Sequence, residues 1–301
     1  MQLDHYVNTL GKSLKLKYGI RVRKLSLDGG FSCPNRDGTI GRGGCTFCSV
    51  ESFAESLEHS PTIAQQIDLR KRELKQREIK YLAYFQSYTN THAEFGYLKN
   101  LYEQALKEKD IIGICIGTRP DCLSEAVLQL LHEFNQHGKE VWLELGLQTA
   151  NDNTLKKINR GHDFYSYQQA VKAAKKYALN ICCHLILGLP GETLTDYLHT
   201  HEQVLSCGVQ GLKLHPLHVV KNSAMARSWR FGRLDLITQE QYVAAAVELI
   251  QRTPLEVCYH RVSAQARPGT LLAPIWCGNK WLPLVEITRQ LDTLGGQGCK
   301  V

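Results

Sequence analysis

Residues Arg21–Cys48 read RVRKLSLDGGFSCPNRDGTIGRGGCTFC. The first seven, Arg21–Leu27, alternate apolar and polar in the period of a half-buried strand. In a doubly wound nucleotide-binding sheet such a first strand runs into G-x-G-x-x-G, whose glycines bring a helix N-terminus against phosphate. Here it runs into Cys33, eleven further residues, then Cys45-x2-Cys48. The chemistry after the first strand is therefore built on thiols, and the doubly wound reading loses its signature.

Outward from that stretch, short apolar runs alternate with helical ones. Ser60-Pro61 opens a charged helix to about Ile79, with Pro at the first turn. Tyr81–Gln86 is a strand, and Thr91-x-x-Glu94 a capping box for a helix through Leu106. Strand Ile111–Ile116 precedes a helix capped by Ser124 and ending near His137-Gly138. Strand Val141–Gly146 precedes helical stretches at Asn153–Ile158 and Tyr165–Ala178. Strand Ile181–Leu187, helix Thr193–Cys207 and strand Gln210–His215 follow, then a helix from the Thr238-x-x-Gln241 box to about Arg252 and a seventh strand at Glu256–Val262. Such alternation gives a parallel sheet with helical crossovers, and continuous apolar strands mean burial on both faces. The expected fold is α/β, a partial (β/α)6 TIM-like barrel with a short N-terminal extension and a C-terminal tail helix. Residues 1–20 form the extension, 21–262 the core, and 263–301 a segment packed on the barrel. In that segment Leu284, Ile287, Leu291 and Leu294 recur at helical spacing, and the final GGQGCKV is expected to fray.

Composition narrows the class. With 43% hydrophobic and 22% charged residues over 301, the chain is neither disordered nor collagen-like. Its longest apolar runs, such as Ile111–Ile116, fall far short of the ~20 residues that span a bilayer. The N-terminus carries no apolar leader, so a cytoplasmic location with reduced thiols is expected, and the eleven cysteines are core groups, metal ligands or redox groups. The net charge is +7, and residues 1–50 hold eight Lys/Arg against three Asp. That asymmetry suits a phosphate-rich partner such as RNA, and equally a basic rim around an active site. No membrane partner is expected.

Cys33, Cys45 and Cys48 sit in a loop rich in turn formers: Pro34, Asn35, Asp37, Gly38, Gly41, Gly43 and Gly44. A chain wrapping a compact inorganic centre needs that freedom. Three soft thiolates suit zinc or an iron–sulfur cluster. A structural zinc site normally has four ligands; His59 and His92 offer a fourth, but neither stands at knuckle spacing. A redox pair at Cys45/Cys48 leaves Cys33 and the glycines unexplained. Spacing thus favours a [4Fe–4S] cluster with one open iron, with zinc and a redox pair as the alternatives.

The loop, ending in Cys-x-aromatic-Cys with Phe47 in the middle, resembles the radical S-adenosylmethionine superfamily. The common spacing there is C-x3-C-x2-C. The long first gap here is similar to that of the elongator catalytic subunit branch. YFQSYTNT, GTRPDC and LGLPGET, in that order, are most similar to an uncharacterised bacterial radical S-adenosylmethionine family. The resemblance spans about Arg21 to Val262. It implies Cys33, Cys45 and Cys48 as ligands of three irons, with the fourth iron chelating S-adenosylmethionine. It also implies a one-electron donor such as flavodoxin or ferredoxin.

The same resemblance assigns cofactor contacts at the strand ends. Gln86, with Ser87, stands where relatives hold the methionyl amino group, although two glycines usual there are missing. Arg119, in GTRPDC, suits a carboxylate by its fork geometry, against a plain ion pair with Asp121 or Glu125. Glu144, in an apolar strand, is costly to bury unpaired and either meets the cofactor or forms an internal ion pair. Gln148 follows it in an E-x-G-x-Q pattern. Arg160 suits the methionyl carboxylate, and His162 either joins it or caps a helix. Gly188 and Pro190 would let backbone approach adenine. Glu192 either belongs with them or starts a helix.

Lys213, His215, His218, His260 and Arg261 face substrate or pack in the core. Cys115, Cys182 and Cys183 read as core thiols, while Cys122 and Cys277 are the further thiols worth testing. No catalytic residue is assigned beyond the cluster ligands. The expected activity is reductive cleavage of S-adenosylmethionine to a 5′-deoxyadenosyl radical that abstracts hydrogen from an unidentified substrate, RNA among the possibilities. The alternatives are a metal-containing RNA-binding protein without radical chemistry and a thiol oxidoreductase using Cys45/Cys48.

Overall fold

The computed structural model describes residues 2–49, 61–74 and 79–301. Seven strands form one parallel sheet: β1 (Arg21–Leu27), β2 (Ile79–Phe85), β3 (Ile111–Thr118), β4 (Glu140–Gln148), β5 (Asn180–Leu187), β6 (Gly211–Pro216) and β8 (Cys258–Arg261). They pair in that order, and β7 (Val219–Val220) pairs antiparallel with β9 (Leu271–Ala273) in a separate ribbon. Among the described residues the helices are α1 (Leu10–Tyr18), α2 (Pro34–Asp37), α3 (Ile63–Leu74), α4 (Phe95–Lys107), α5 (Glu125–Gln136), α6 (Asp152–Lys157), α7 (Phe164–Lys176), α8 (Leu194–Ser206), α9 (Ala224–Arg230), α10 (Gln239–Gln251) and α11 (Trp281–Leu294). This is the partial TIM-like barrel the sequence implies.

Side-chain alternation splits the sheet into two faces. Leu25, Ala83, Ile114, Leu143, Ile181 and Leu212 join the helices in the large outer core. Val22, Leu82, Cys115, Trp142, Cys182 and Cys258 meet inside the curl, with Leu10 and Leu14 of α1. Strand β1 is not hydrogen-bonded to β8, so the barrel is open. The N-terminal segment covers the gap: Tyr259 N–H donates to Asn8 O at 2.8 Å, and Thr9 bridges to Tyr259. Burying Leu10 and Leu14 there stabilises the closure by roughly 1.5–3 kcal/mol each.

The elements depart from expectation in instructive places. Ile79 starts β2 rather than ending a helix; of the expected helix, residues 75–78 and Ser60 lie outside the described residues, as does His59. Glu94 itself caps α4, accepting from Tyr97 N–H at 2.9 Å. Thr91 instead bonds Thr118 and the Cys122 carbonyl across the sheet. The C-terminus does not fray. Gln297 is buried, donates to the carbonyls of Pro254 and Val257, and accepts from Asn8 N–H. Lys300 pairs with Glu248. The glycines that suggested fraying serve here as turns that fold the tail back onto α10.

Candidate functional site

The cysteine loop is clamped to the chain beyond β4. Thr46 N–H donates to Ile158 O at 2.9 Å, Asn159 donates to Gly44 O at 2.8 Å, and Asn35 donates to Asn159 O at 2.6 Å. Gly44 has φ +77°, and a Cβ there would lie 2.7 Å from Arg36 Nε. Glycine is thus what lets Arg36 cross the loop and donate to Cys48 O at 2.8 Å.

These clamps bring Cys33, Cys45 and Cys48 onto a cavity of about 190 Å³ at the C-terminal ends of the strands. Its walls also hold Gln86, Arg119, Glu144, Gln148 and Arg160. No disulfide forms, and all eleven cysteines are free. Three thiolates sharing one zinc at ~2.3 Å would have sulfurs under ~4 Å apart. The three cysteine sulfurs do not close to within 4.8 Å of one another. They therefore fit a group larger than a single ion. Burial pushes the Cys48 thiol up, and the Arg36 guanidinium opposes this.

Arg160 is the loop's deepest partner. Its Nη1 lies 3.4 Å from Cys45 Sγ, its Nη2 donates to Gly146 O, and its Nε is buried without a hydrogen-bond partner. Arg119 is only 2% exposed and grips Asp121 with two bonds, at 2.9 and 2.7 Å. Its third bond reaches Arg160 O at 2.8 Å. Burial raises Asp121, but the Arg119 fork outweighs it and holds the carboxyl below its ordinary range. Arg119 thus braces Arg160 as well as facing the cavity.

Glu144 is fully buried and saturated. It accepts from Tyr84 at 2.8 Å, His184 at 2.6 Å and Lys213 at 3.2 Å, lies 2.9 Å from His260 Nδ1, and pairs with Lys24. The expected choice between a cofactor contact and an internal ion pair thus meets a complete ion-pair network. Burial works against its charge, but Lys213 and Lys24 hold it well below the carboxylate range. Burial in turn pulls Lys213 down to about 8. Glu144, Cys182 and His184 also bring ligand atoms within 4.8 Å. The two lysine ammoniums already supply the positive charge that a metal would bring.

Three assigned residues stand apart. His162 does not line the cavity; its Nδ1 faces Asp163 O at 3.1 Å, and burial pushes it down to about 3. Gly188 and Pro190 are also absent from its walls. At Gly188, with φ +95°, a Cβ would lie 2.6 Å from Ile237, so close packing requires the glycine. Glu192 accepts from Thr149 at 2.6 Å, and burial raises it to about 7. His92 pairs with Asp37 and does not line the cavity. Cys122 and Cys277 are pushed up to about 12 by burial.

Sequence reasoning passed over Lys24 and Tyr84. Their signal was the inward phase of β1 and β2, where a charge and a hydroxyl stand among apolar residues.

Residues 37–204 match the Radical SAM superfamily, and residues 209–293 the Radical SAM C-terminal domain. Protein YhcC of Escherichia coli (strain K12) is 54% identical over 99% of this chain and 96% of its own length. A tRNA uridine(34) acetyltransferase of Dehalococcoides mccartyi is 29% identical over 46% of this chain and 34% of its own. Among solved structures, Elp3 of the archaeon Methanocaldococcus infernus superposes with a TM-score of 0.66 at 16% identity. The superposition covers 91% of this chain and 63% of that one, a likeness of fold.

Proposed function

The chain belongs to the radical S-adenosylmethionine superfamily, enzymes that use a [4Fe–4S] cluster and S-adenosylmethionine, and on that premise we propose that Cys33, Cys45 and Cys48 hold the cluster and that the cavity they share with Gln86, Gln148 and Arg160 receives the cofactor. The observation that supports this best is the convergence of three thiols, spaced too widely for one ion, on the strand ends of the barrel. When bound, cluster and cofactor supply reductive cleavage to methionine and a 5′-deoxyadenosyl radical. The residues of this chain orient and shelter. Arg160 donates toward Cys45 Sγ, which stabilises its thiolate. Arg119, fixed by Asp121, holds Arg160 in place through its carbonyl. Gln86 and Gln148 offer amides at the ends of β2 and β4. Helix α1 closes the opposite mouth, which keeps water from the barrel interior.

We divide the chain into an extension (1–20), the radical core (21–262) and a C-terminal segment (263–301). The electron enters from a one-electron donor such as flavodoxin or ferredoxin. Hydrogen is abstracted from a substrate seated in the barrel. An RNA substrate is supported by the net charge of +7 and by the likeness to a tRNA uridine(34) acetyltransferase. Among the described residues no helix is long and apolar enough to cross a membrane.

The test is anaerobic reconstitution followed by dithionite and S-adenosylmethionine. About four irons per chain and release of 5′-deoxyadenosine are expected. Stoichiometric zinc without iron, and an intact cofactor, would refute the reading.

A further inference from the structure

Beside the cysteine cavity lies a larger one of about 500 Å³. The two share Phe47, Cys48, Gln86, Gln148 and His184 as walls. The larger cavity is lined by Lys213, Arg261, Arg267, His215 and His218, and by no carboxylate among the described residues.

Strand register explains how these side chains meet. His184 on β5 pairs with Lys213 on β6, and Lys213 with Arg261 on β8, so the three stand at one level of the barrel. Simple alternation would turn Arg261 outward with Tyr259, because His260 already points in against Trp142 and Glu144. A register shift between Leu212 and Lys213 sets two residues of β8 against one of β6. Irregularities of this kind re-aim a side chain beside a site.

Arg261 is then left without company. Its Nε is buried with no hydrogen-bond partner, and His218 Nε2 is in the same state. Glu144 cannot serve it, since Lys24, Lys213, Tyr84, His184 and His260 already occupy both carboxylate oxygens. Buried donors without acceptors are destabilising unless a ligand completes them.

We propose that Arg261 and Lys213 form a receptor for an oxyanion of the substrate, a phosphate or carboxylate, which fixes the substrate in the barrel beside the cysteine cavity. The assignment rests on the radical-enzyme reading only in taking this cavity as the substrate's. Arg261 supplies the fork, and His218 Nε2 a neutral donor or acceptor nearby. The positive charge of Lys213, shared with Glu144, attracts the anion.

The test uses the full-length, cluster-reconstituted protein without reductant, and reads binding by calorimetry. Inorganic phosphate and acetate are the probes, and R261Q, R261K and R21Q the variants; Arg21 is exposed at the opposite end of β1. One of the two anions should bind saturably, ~tenfold more weakly to R261Q, with partial recovery in R261K and no change in R21Q. Melting temperature reports whether R261Q is folded. Competition by phosphate against a short single-stranded RNA, abolished by R261Q, would assign the oxyanion to an RNA phosphate. RNA binding indifferent to both would assign it to a small substrate. Equal anion binding by wild type and R261Q, or no binding of either anion, overturns the proposal. So does an equal loss of S-adenosylmethionine binding in R261Q, which would make the oxyanion the cofactor's own carboxylate. A protein that binds phosphate through Arg261 but takes no iron would sink the radical reading and leave this receptor standing.

Discussion

Three cysteines line the cavity at one end of this barrel and three others pack together at the other, and the two sets have opposite characters. At the closed end Cys115, Cys182 and Cys258 pack with Leu10, Leu14, Val22 and Trp142 under α1. Burial there pushes Cys115 and Cys258 up to about 12, and Cys182 well above the ordinary thiol value. These thiols are small apolar groups. At the open end Cys33, Cys45 and Cys48 line a cavity, with Arg36 and Arg160 turned toward them. Thiolates need nearby positive charge and donors; at the closed end Lys24 and Lys213 are already paired with Glu144, and burial outweighs their pull on the thiols. The residue type is the same; the surroundings decide what it does.

The comparison can be broken most decisively by replacement in the two sets. Cys33→Ala, Cys45→Ala or Cys48→Ala should each abolish iron retention and cofactor cleavage in the reconstituted protein. Cys115→Ala, Cys182→Ala and Cys258→Ala should keep both, at ~1 kcal/mol of stability each. Iron loss in the second set, or retention in the first, would exchange their roles.

Between the two ends lies the Glu144 network, and its removal is the next largest effect. Glu144→Ala leaves Lys213 buried and Lys24 half-buried without their counter-charge, which should destabilise the fold by ~3–5 kcal/mol. Denaturant melts of the apoprotein measure this separately from cluster binding. A change below ~1 kcal/mol would mean that water reaches the network from the open end.

The smallest effect is graded with pH. His184 and His260 are pushed down to about 3 and about 4 by burial. Below their ordinary value the unfolded chain takes up protons that the folded chain refuses, so folding weakens as pH falls. The loss should run from about pH 6.5 to about pH 4, at up to ~1.4 kcal/mol per unit per histidine. Above pH 7 these two groups are neutral in both states and contribute no slope. Flat stability between pH 7 and 5 would show that folding leaves their pKa values unshifted, and a rise on acidification that they are protonated in the fold.

Much of this was legible in the chain. The strand runs, the Ser124 and Thr238 caps and the three-cysteine loop are local signals, and local patterns carry them in full. Glu144 was legible as an anomaly, because a carboxylate in an apolar strand demands partners. Its partners were not, since Lys24, Tyr84, Lys213 and His260 come from four other strands. The expected fraying of GGQGCKV failed for the same reason: the bonds of Gln297 reach Asn8, Pro254 and Val257.

The sequence by itself determined the alternation of strand and helix, the absence of a phosphate-binding glycine turn after the first strand, and the thiols in its place. Period and spacing along one chain suffice for those. The tertiary structure alone decided that Cys115, Cys182 and Cys258 pack together under α1 and that Arg119 braces Arg160. It also decided that a register shift in β8 turns Arg261 inward. Those depend on distances between strands, and a parallel barrel brings together residues that stand far apart in sequence.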